Sequence, residues 1–144
     1  MTIKELTQRY EQYMIDLRRE FHIHPELSLK ETRTSGRIAE ELEAIGIPVT
    51  RFDSGNVVGI IEGGLGGEGK VAIRADIDAL PMQEELDVPF KSTVPNVMHS
   101  CGHDAHTAIL LGIAKTLWEM KAGMKGRVYL CFQIAEEIGA GAAE

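Results

Sequence analysis

Two short apolar runs, separated by a helical pattern, restrict this chain to a small set of folds. Residues 71–75 and 127–134 are apolar and have the length of buried strands. Between them, residues 105–121 repeat apolar side chains at helical spacing, which predicts an α-helix. A strand, a helix and a second strand in this order are typical of an α/β fold built on a parallel sheet.

Two further helices are predicted near the N-terminus. Residues 2–21 carry apolar side chains at helical spacing, and this helix is expected to end near His24, because the residue before a proline disfavours helical backbone. Residues 31–46 show a second helical pattern, with Thr34 as the expected N-cap and Gly46 as the expected end.

Two more strands and two connections complete the predicted elements. Residues 47–51 and 57–62 have the character of strands joined by a turn. The glycine-rich residues 63–69 predict a hairpin connection to the following strand, since the lysine, serine and helix pattern of a phosphate-binding loop does not follow. Residues 81–100 are expected to be a long irregular segment, which is often functional.

Acidic residues follow both of the strands that define the fold. Asp76 and Asp78 end the first strand, and Glu136 and Glu137 follow the last one. Ligand sites of open α/β sheets lie off the carboxyl ends of the strands, so we expect these pairs to converge if the strands are parallel neighbours. One glutamate could then bind a metal while its neighbour transfers a proton. The alternative is that both pairs are ordinary solvated loop or turn residues.

The segment from Met98 to His106 reads Met-His-Ser-Cys-Gly-His-Asp-Ala-His and is rich in potential metal ligands. Imidazole and thiolate are preferred ligands of zinc and similar divalent metals. Gly102 between Cys101 and His103 can adopt backbone angles that turn both side chains towards one point. The open alternatives are a structural zinc site, a Cys–His nucleophilic pair and a redox role for Cys101.

Composition excludes several classes of function. The chain has 144 residues and a formal net charge of -7, which argues against binding to nucleic acid or to an anionic membrane surface. No apolar run approaches the roughly 20 residues needed to cross a bilayer. Two cysteines make no disulfide framework, and the N-terminus has no signal-peptide pattern. These features favour a cytoplasmic location.

Four segments together resemble the amidohydrolase branch of the M20 metallopeptidase family, which includes aminoacylase-like, hippurate-hydrolase-like and auxin-conjugate-hydrolase-like enzymes. They occur in family order and are residues 17–28, 74–81, 98–107 and 133–137. The resemblance implies a three-layer α/β/α catalytic domain of the zinc-peptidase type. Residues 1–144 would form its incomplete N-terminal part, without the dimerisation domain and the C-terminal part that family members carry.

The resemblance also implies a two-metal site. Cys101 would be the thiolate ligand that can bridge the metals, His103 a terminal ligand and Glu137 the carboxylate ligand. Glu136 would be the general base, and Asp78 would support the site from behind the ligands. A complete site would hold two divalent metals, which could be zinc, manganese, cobalt or nickel.

The function implied is hydrolysis of the amide bond of N-acyl amino acids or related small conjugates. A metal-activated water would attack the amide, with a glutamate as general base. Full-length relatives carry further ligands downstream and are expected to be homo-oligomers, so the alternative is an inactive truncated fragment that at most binds metal or a partner.

Overall fold

The computed structural model describes residues 1–142 and contains four α-helices and a four-stranded sheet within that range. Two short 3₁₀ turns, Lys121–Gly123 and Glu136–Ile138, flank the last strand. The helices and strands, in chain order, are α1 (Ile3–Arg9), α2 (Glu11–Ile23), α3 (Thr32–Ile45), β1 (Val49–Arg51), β2 (Val57–Glu62), β3 (Lys70–Asp76), α4 (His103–Met120) and β4 (Arg127–Gln133).

The N-terminal helical pattern folds as two helices rather than the single predicted one. The backbone of Tyr10, with φ -95° and ψ 6°, separates α1 from α2. A capping box between Thr2 and Glu5 starts α1, because each side chain accepts a backbone N–H of the other residue. α2 ends just before His24, as predicted from the proline that follows.

The expected N-cap of α3 is wrong, whereas its expected end is confirmed. The helix begins at Thr32, and the Glu26 carboxylate accepts the free N–H groups of Arg33 at 3.1 Å and Thr34 at 2.7 Å. A side chain outside the helix therefore replaces the local cap that sequence reasoning assigned to Thr34. Gly46 ends the helix in the left-handed region at φ 95°.

The strand order β1-β2-β4-β3 overturns the predicted hairpin at residues 63–69. β4 lies between β2 and β3, pairing antiparallel with β2 and parallel with β3. The glycine-rich loop instead packs on the start of β4, where the N–H of Gly63 donates to the carbonyl of Gly126 at 2.8 Å. A Cβ atom on Gly63 would lie 2.5 Å from the carbonyl oxygen of Met124, so glycine is required there for close packing.

The core lies between one face of the sheet and the helices. Alternate residues of β4, including Leu130 and Phe132, are buried on that face with Ile61 of β2. α3 and α4 pack against this side and α2 packs on α4, which agrees with the predicted α/β class. On the opposite face, Ile60 and Tyr129 remain half-buried.

The strand at residues 71–75, predicted to be buried, is an edge strand that is buried only at its end. Val71 is exposed, whereas Ala75 and Asp76 are buried. None of the helices within residues 1–142 is long and apolar enough to cross a bilayer.

Candidate metal centre

The two acidic pairs converge because β3 and β4 are parallel neighbours. In their register Asp76 lies opposite Gln133, so both strands end at the same edge of the sheet. Just beyond that edge, the backbone N–H of Glu137 donates to Oδ2 of Asp78 at 3.0 Å. The predicted convergence of the strand ends is therefore present in the structure.

His103 projects into this edge from the first turn of α4. Gly102 precedes it with φ 89° and caps the helix in a left-handed conformation, as its place between Cys101 and His103 led us to expect. The His103 side chain is 2% exposed, and its Nδ1 lies 3.0 Å from the Asp78 carbonyl oxygen and 3.1 Å from Asp78 Oδ1. Two acceptors at Nδ1 place the proton there and leave Nε2 with a free lone pair.

Cys101, His103 and Glu137 come together at this lone pair. Each offers one ligand atom, and these atoms lie within 4.8 Å of one another. Oε1 of Glu137 is 3.7 Å from Nε2 of His103 and is buried without a hydrogen-bond partner among residues 1–142. A thiol, an imidazole and a carboxylate oxygen with no other partner suit a borderline-soft divalent metal.

The environment of Cys101 does not activate it as a nucleophile. The neighbouring Glu137 carboxylate, slight burial and the charges of Glu136 and Asp76 all raise the pKa of the thiol. Without a cation the thiolate is therefore disfavoured, which is the reverse of what a Cys–His nucleophilic pair requires. A divalent ion would reverse this preference, since metal ligation deprotonates a thiol.

Glu136 lies beside the group formed by Cys101, His103 and Glu137, on the side that is open to solvent. Its Oε2 is 3.7 Å from His103 Nε2, and its side chain is 40% exposed, against 18% for Glu137. The two neighbouring carboxylates thus differ in access to water. The resemblance implies Glu137 as ligand and Glu136 as base, and this assignment stays a prediction.

A second group, Asp76, His103 and His106, shares His103 with the first, and Asp76 Oδ1 lies 3.6 Å from the same Nε2 atom. Its ligand atoms also lie within 4.8 Å of one another, and the rings of His103 and His106 stack with centroids 5.6 Å apart. His106 Nδ1 and Asp76 Oδ1 are 2.6 Å apart. Burial opposes ionisation of Asp76, but the hydrogen bond from His106 and the charges of both histidines outweigh it and lower the pKa.

A buried polar network behind the site was not foreseen from sequence. His22 bonds Asp104 through Nδ1 at 2.6 Å and Glu84 through Nε2 at 3.0 Å. His99 is 5% exposed, has no hydrogen-bond partner within residues 1–142, and has a pKa lowered by burial to about 4. His24 is not part of this network and contacts the Glu20 carbonyl. In the sequence, the one signal for the burial of His22 is its position at helical spacing among the apolar residues.

Comparison with known proteins identifies the family. A sequence model described as "Peptidase family M20/M25/M40" matches residues 72–144, which is half of the chain. The chain belongs to this family. The resemblance seen in the sequence is thereby confirmed.

Relatives in the M20 family include enzymes that cleave amides. The chain is 45% identical over 134 residues to an N-acetylcysteine deacetylase of Bacillus subtilis, covering 90% of this chain and 34% of the relative. It is 43% identical over 143 residues to an N-acyl-L-amino acid amidohydrolase of Geobacillus stearothermophilus, covering 99% and 38%. The chain therefore spans little more than a third of the length of these relatives.

A solved structure shares the fold. The YXEP protein of Bacillus subtilis, described as a dinuclear metal binding peptidase from the M20 family, matches with a TM-score of 0.87 and 43% identity. The match covers 96% of this chain and 38% of that one. The α/β fold therefore corresponds to part of an M20 catalytic domain.

Proposed function

We propose that this chain carries one wall of the active site of a metal-dependent amidohydrolase that cleaves N-acyl amino acids or related small conjugates. Residues 1–144 would form the N-terminal part of the catalytic domain. The observation that supports this most strongly is the free Nε2 of His103, held by Asp78 and facing Cys101 and Glu137. The relatives named above support the substrate class.

In this proposal Cys101, His103 and Glu137 hold a divalent ion. When bound, the ion polarises an amide carbonyl and acidifies water at that position. Asp78 keeps the His103 proton on Nδ1, so that Nε2 remains a ligand. A complete site would hold two ions of zinc, manganese, cobalt or nickel.

Glu136 is the proposed general base. Its carboxylate lies next to the ligand group, 3.7 Å from His103 Nε2, and is open to solvent. From there it can accept a proton from the attacking water and deliver it to the leaving amine. Cys101 serves as ligand rather than nucleophile, which agrees with the raised pKa of its thiol.

The proposal is tested by metal content and by hydrolysis of N-acetyl amino acids before and after chelation. We expect the chain to bind zinc or cobalt, and any hydrolysis to disappear on chelation and return when metal is restored. Glu136→Gln should retain the metal and lower turnover by about 100-fold or more, because general-base catalysis is typically worth that much. Glu40→Gln, on the exposed face of α3, is the matched control and should match the parent.

Two outcomes would change the conclusion. Hydrolysis that resists chelation but is abolished by a thiol alkylator would favour the Cys–His nucleophilic pair over the metal mechanism. Metal binding without detectable turnover would favour the second candidate, a chain that binds metal only. The three ligand atoms within 4.8 Å make that candidate reasonable, since they can hold an ion without a substrate pocket. A small-molecule substrate and a cytoplasmic location belong to the same proposal.

A further inference from the structure

The segment between α2 and α3 crosses the ends of both strands that carry the candidate site. Residues 26–31, here called the strap, make three separate contacts. The Glu26 carbonyl accepts the N–H of Ala79 at 2.8 Å, and the Ser28 hydroxyl donates to Asp78 Oδ2 at 2.7 Å. These two contacts join the strap to the residues just after β3. The third contact is made by Glu31, which reaches the end of β4.

Glu31 makes this second contact with a buried carboxylate. Its side chain accepts the backbone N–H of Ala135 at 2.7 Å, and the residue is 3% exposed. Burial and the nearby Asp78 charge raise its pKa, and the hydrogen bond from Ala135 works against them. Burying a carboxylate is costly, so such a residue persists only where its hydrogen bonds are important to the fold or the site.

The partner of Glu31 is a residue in an unusual conformation. Ala135 has φ 54° and ψ 36°, in the left-handed region that residues with a Cβ atom rarely adopt. Such conformations persist where the surrounding structure holds them. Here the turn at Ala135 redirects the chain from β4 so that Glu136 and Glu137 face His103. Asn56 braces the preceding residue by accepting the N–H of Ile134 at 3.0 Å.

We infer that Glu31 is a positioning residue, which holds the left-handed turn at Ala135 and thereby aims Glu137 at the ligand group. The inference rests on the proposed function, in which Glu137 is a metal ligand. Glu31 reaches neither His103 nor Cys101 among its hydrogen bonds and acts only through the turn. Its contact spans 104 residues of sequence, which is why no local pattern indicates it.

The test compares Glu31→Ala and Glu31→Gln with a matched control, Glu84→Ala. Glu84 is also 3% exposed and accepts a backbone N–H, that of Ser92 at 2.6 Å, but contacts none of the candidate ligands. Two measurements are made on each variant. Cobalt affinity is measured by titration of the absorption spectrum, and hydrogen exchange is measured on the metal-free chain.

We expect Glu31→Ala to bind cobalt about 10- to 100-fold more weakly than the parent, as is typical when support behind a metal ligand is lost. Glu31→Gln keeps an acceptor oxygen and should restore most of the affinity. The amides of residues 135–139 should exchange faster in Glu31→Ala, while those in the middle of β4 are unchanged. Glu84→Ala should leave both the cobalt affinity and this local exchange unchanged.

The positioning inference fails if Glu31→Ala binds cobalt as tightly as Glu84→Ala, or if exchange accelerates equally throughout the chain. If the parent chain binds no cobalt, the proposed function fails instead, and the exchange at residues 135–139 still decides whether Glu31 holds the turn. If Glu31→Ala does not fold, Glu31→Gln decides the matter. A parent-like turn and parent-like affinity in that variant support the need for an acceptor oxygen, and loss of affinity in a folded variant contradicts it.

Discussion

Replacing Asp78 by asparagine should weaken metal binding without removing a ligand. Asp78 is 1% exposed, and its Oδ2 accepts from the Ser28 hydroxyl at 2.7 Å and from the Glu137 N–H at 3.0 Å. Its Oδ1 lies 3.1 Å from Nδ1 of His103. An asparagine has only one acceptor oxygen, so if that oxygen keeps the two donors, its NH₂ group must face His103.

The expected cost follows from the tautomer of His103. An NH₂ group at that position donates to Nδ1, which moves the proton to Nε2 and removes the lone pair that binds metal. The Asp78 carbonyl oxygen, 3.0 Å from Nδ1, opposes the change because it still accepts a proton from that nitrogen. We therefore expect a loss of about 10- to 100-fold in metal affinity rather than complete loss. This corresponds to about 1.4–2.7 kcal/mol of binding free energy.

The assay is competition for zinc with a chromophoric chelator, together with urea unfolding of the metal-free chain. Glu84→Gln is the matched control, because Glu84 is also a buried carboxylate that accepts a backbone N–H and contacts a histidine, His22, outside the ligand group. The reasoning is refuted if Asp78→Asn binds zinc as tightly as Glu84→Gln does. It is also refuted if its affinity falls only when the chain unfolds.

Two further results are expected. Cys101→Ser should abolish the sulfur-to-cobalt charge-transfer absorption of the cobalt-loaded chain. Cys131→Ser should keep this absorption, because of the two cysteines only Cys101 lies beside His103 and Glu137. Persistence of the band in Cys101→Ser would show that this thiol is not a ligand. His99 is neutral in the fold because burial lowers its pKa from 6.5 to about 4, so the unfolded chain takes up the proton first. The free energy of unfolding should therefore decrease as the pH falls from 6.5 to 4, by about 3 kcal/mol in total. His99→Leu should lack this component in metal-free urea unfolding measured across that range, and an equal decrease in both proteins would contradict the assignment.

Local patterns in the sequence were sufficient to identify the elements near the site. The helical spacing of residues 105–121, the apolar runs on either side and the acidic residues after each run predicted the α/β fold and the convergence of the strand ends. These signals are local because helix and strand periodicity depends on which side chains face the core. The motif at residues 98–106 and the three segments that accompany it likewise indicated the M20 family.

The errors arose where distant segments meet. Residues 63–69 contain the glycines expected of a hairpin, but β4 inserts between β2 and β3, and nothing in that loop records which strand will pair with which. Thr34 has the right residue type for an N-cap, yet the Glu26 carboxylate takes that role because the strap brings it there. In both cases a tertiary contact replaced the local solution.

For this chain, the sequence by itself determined the type and approximate extent of most elements, the family, and the side chains from which a metal site can be built. Only the tertiary structure decided that Asp78 contacts Nδ1 of His103, that Asp76 contacts His106, and that Glu31 accepts the N–H of Ala135 in the turn before Glu137. The physical reason is that residue chemistry and periodicity are properties of neighbouring positions. Hydrogen bonds between residues 25 to 104 positions apart exist only once the sheet has brought the strand ends together.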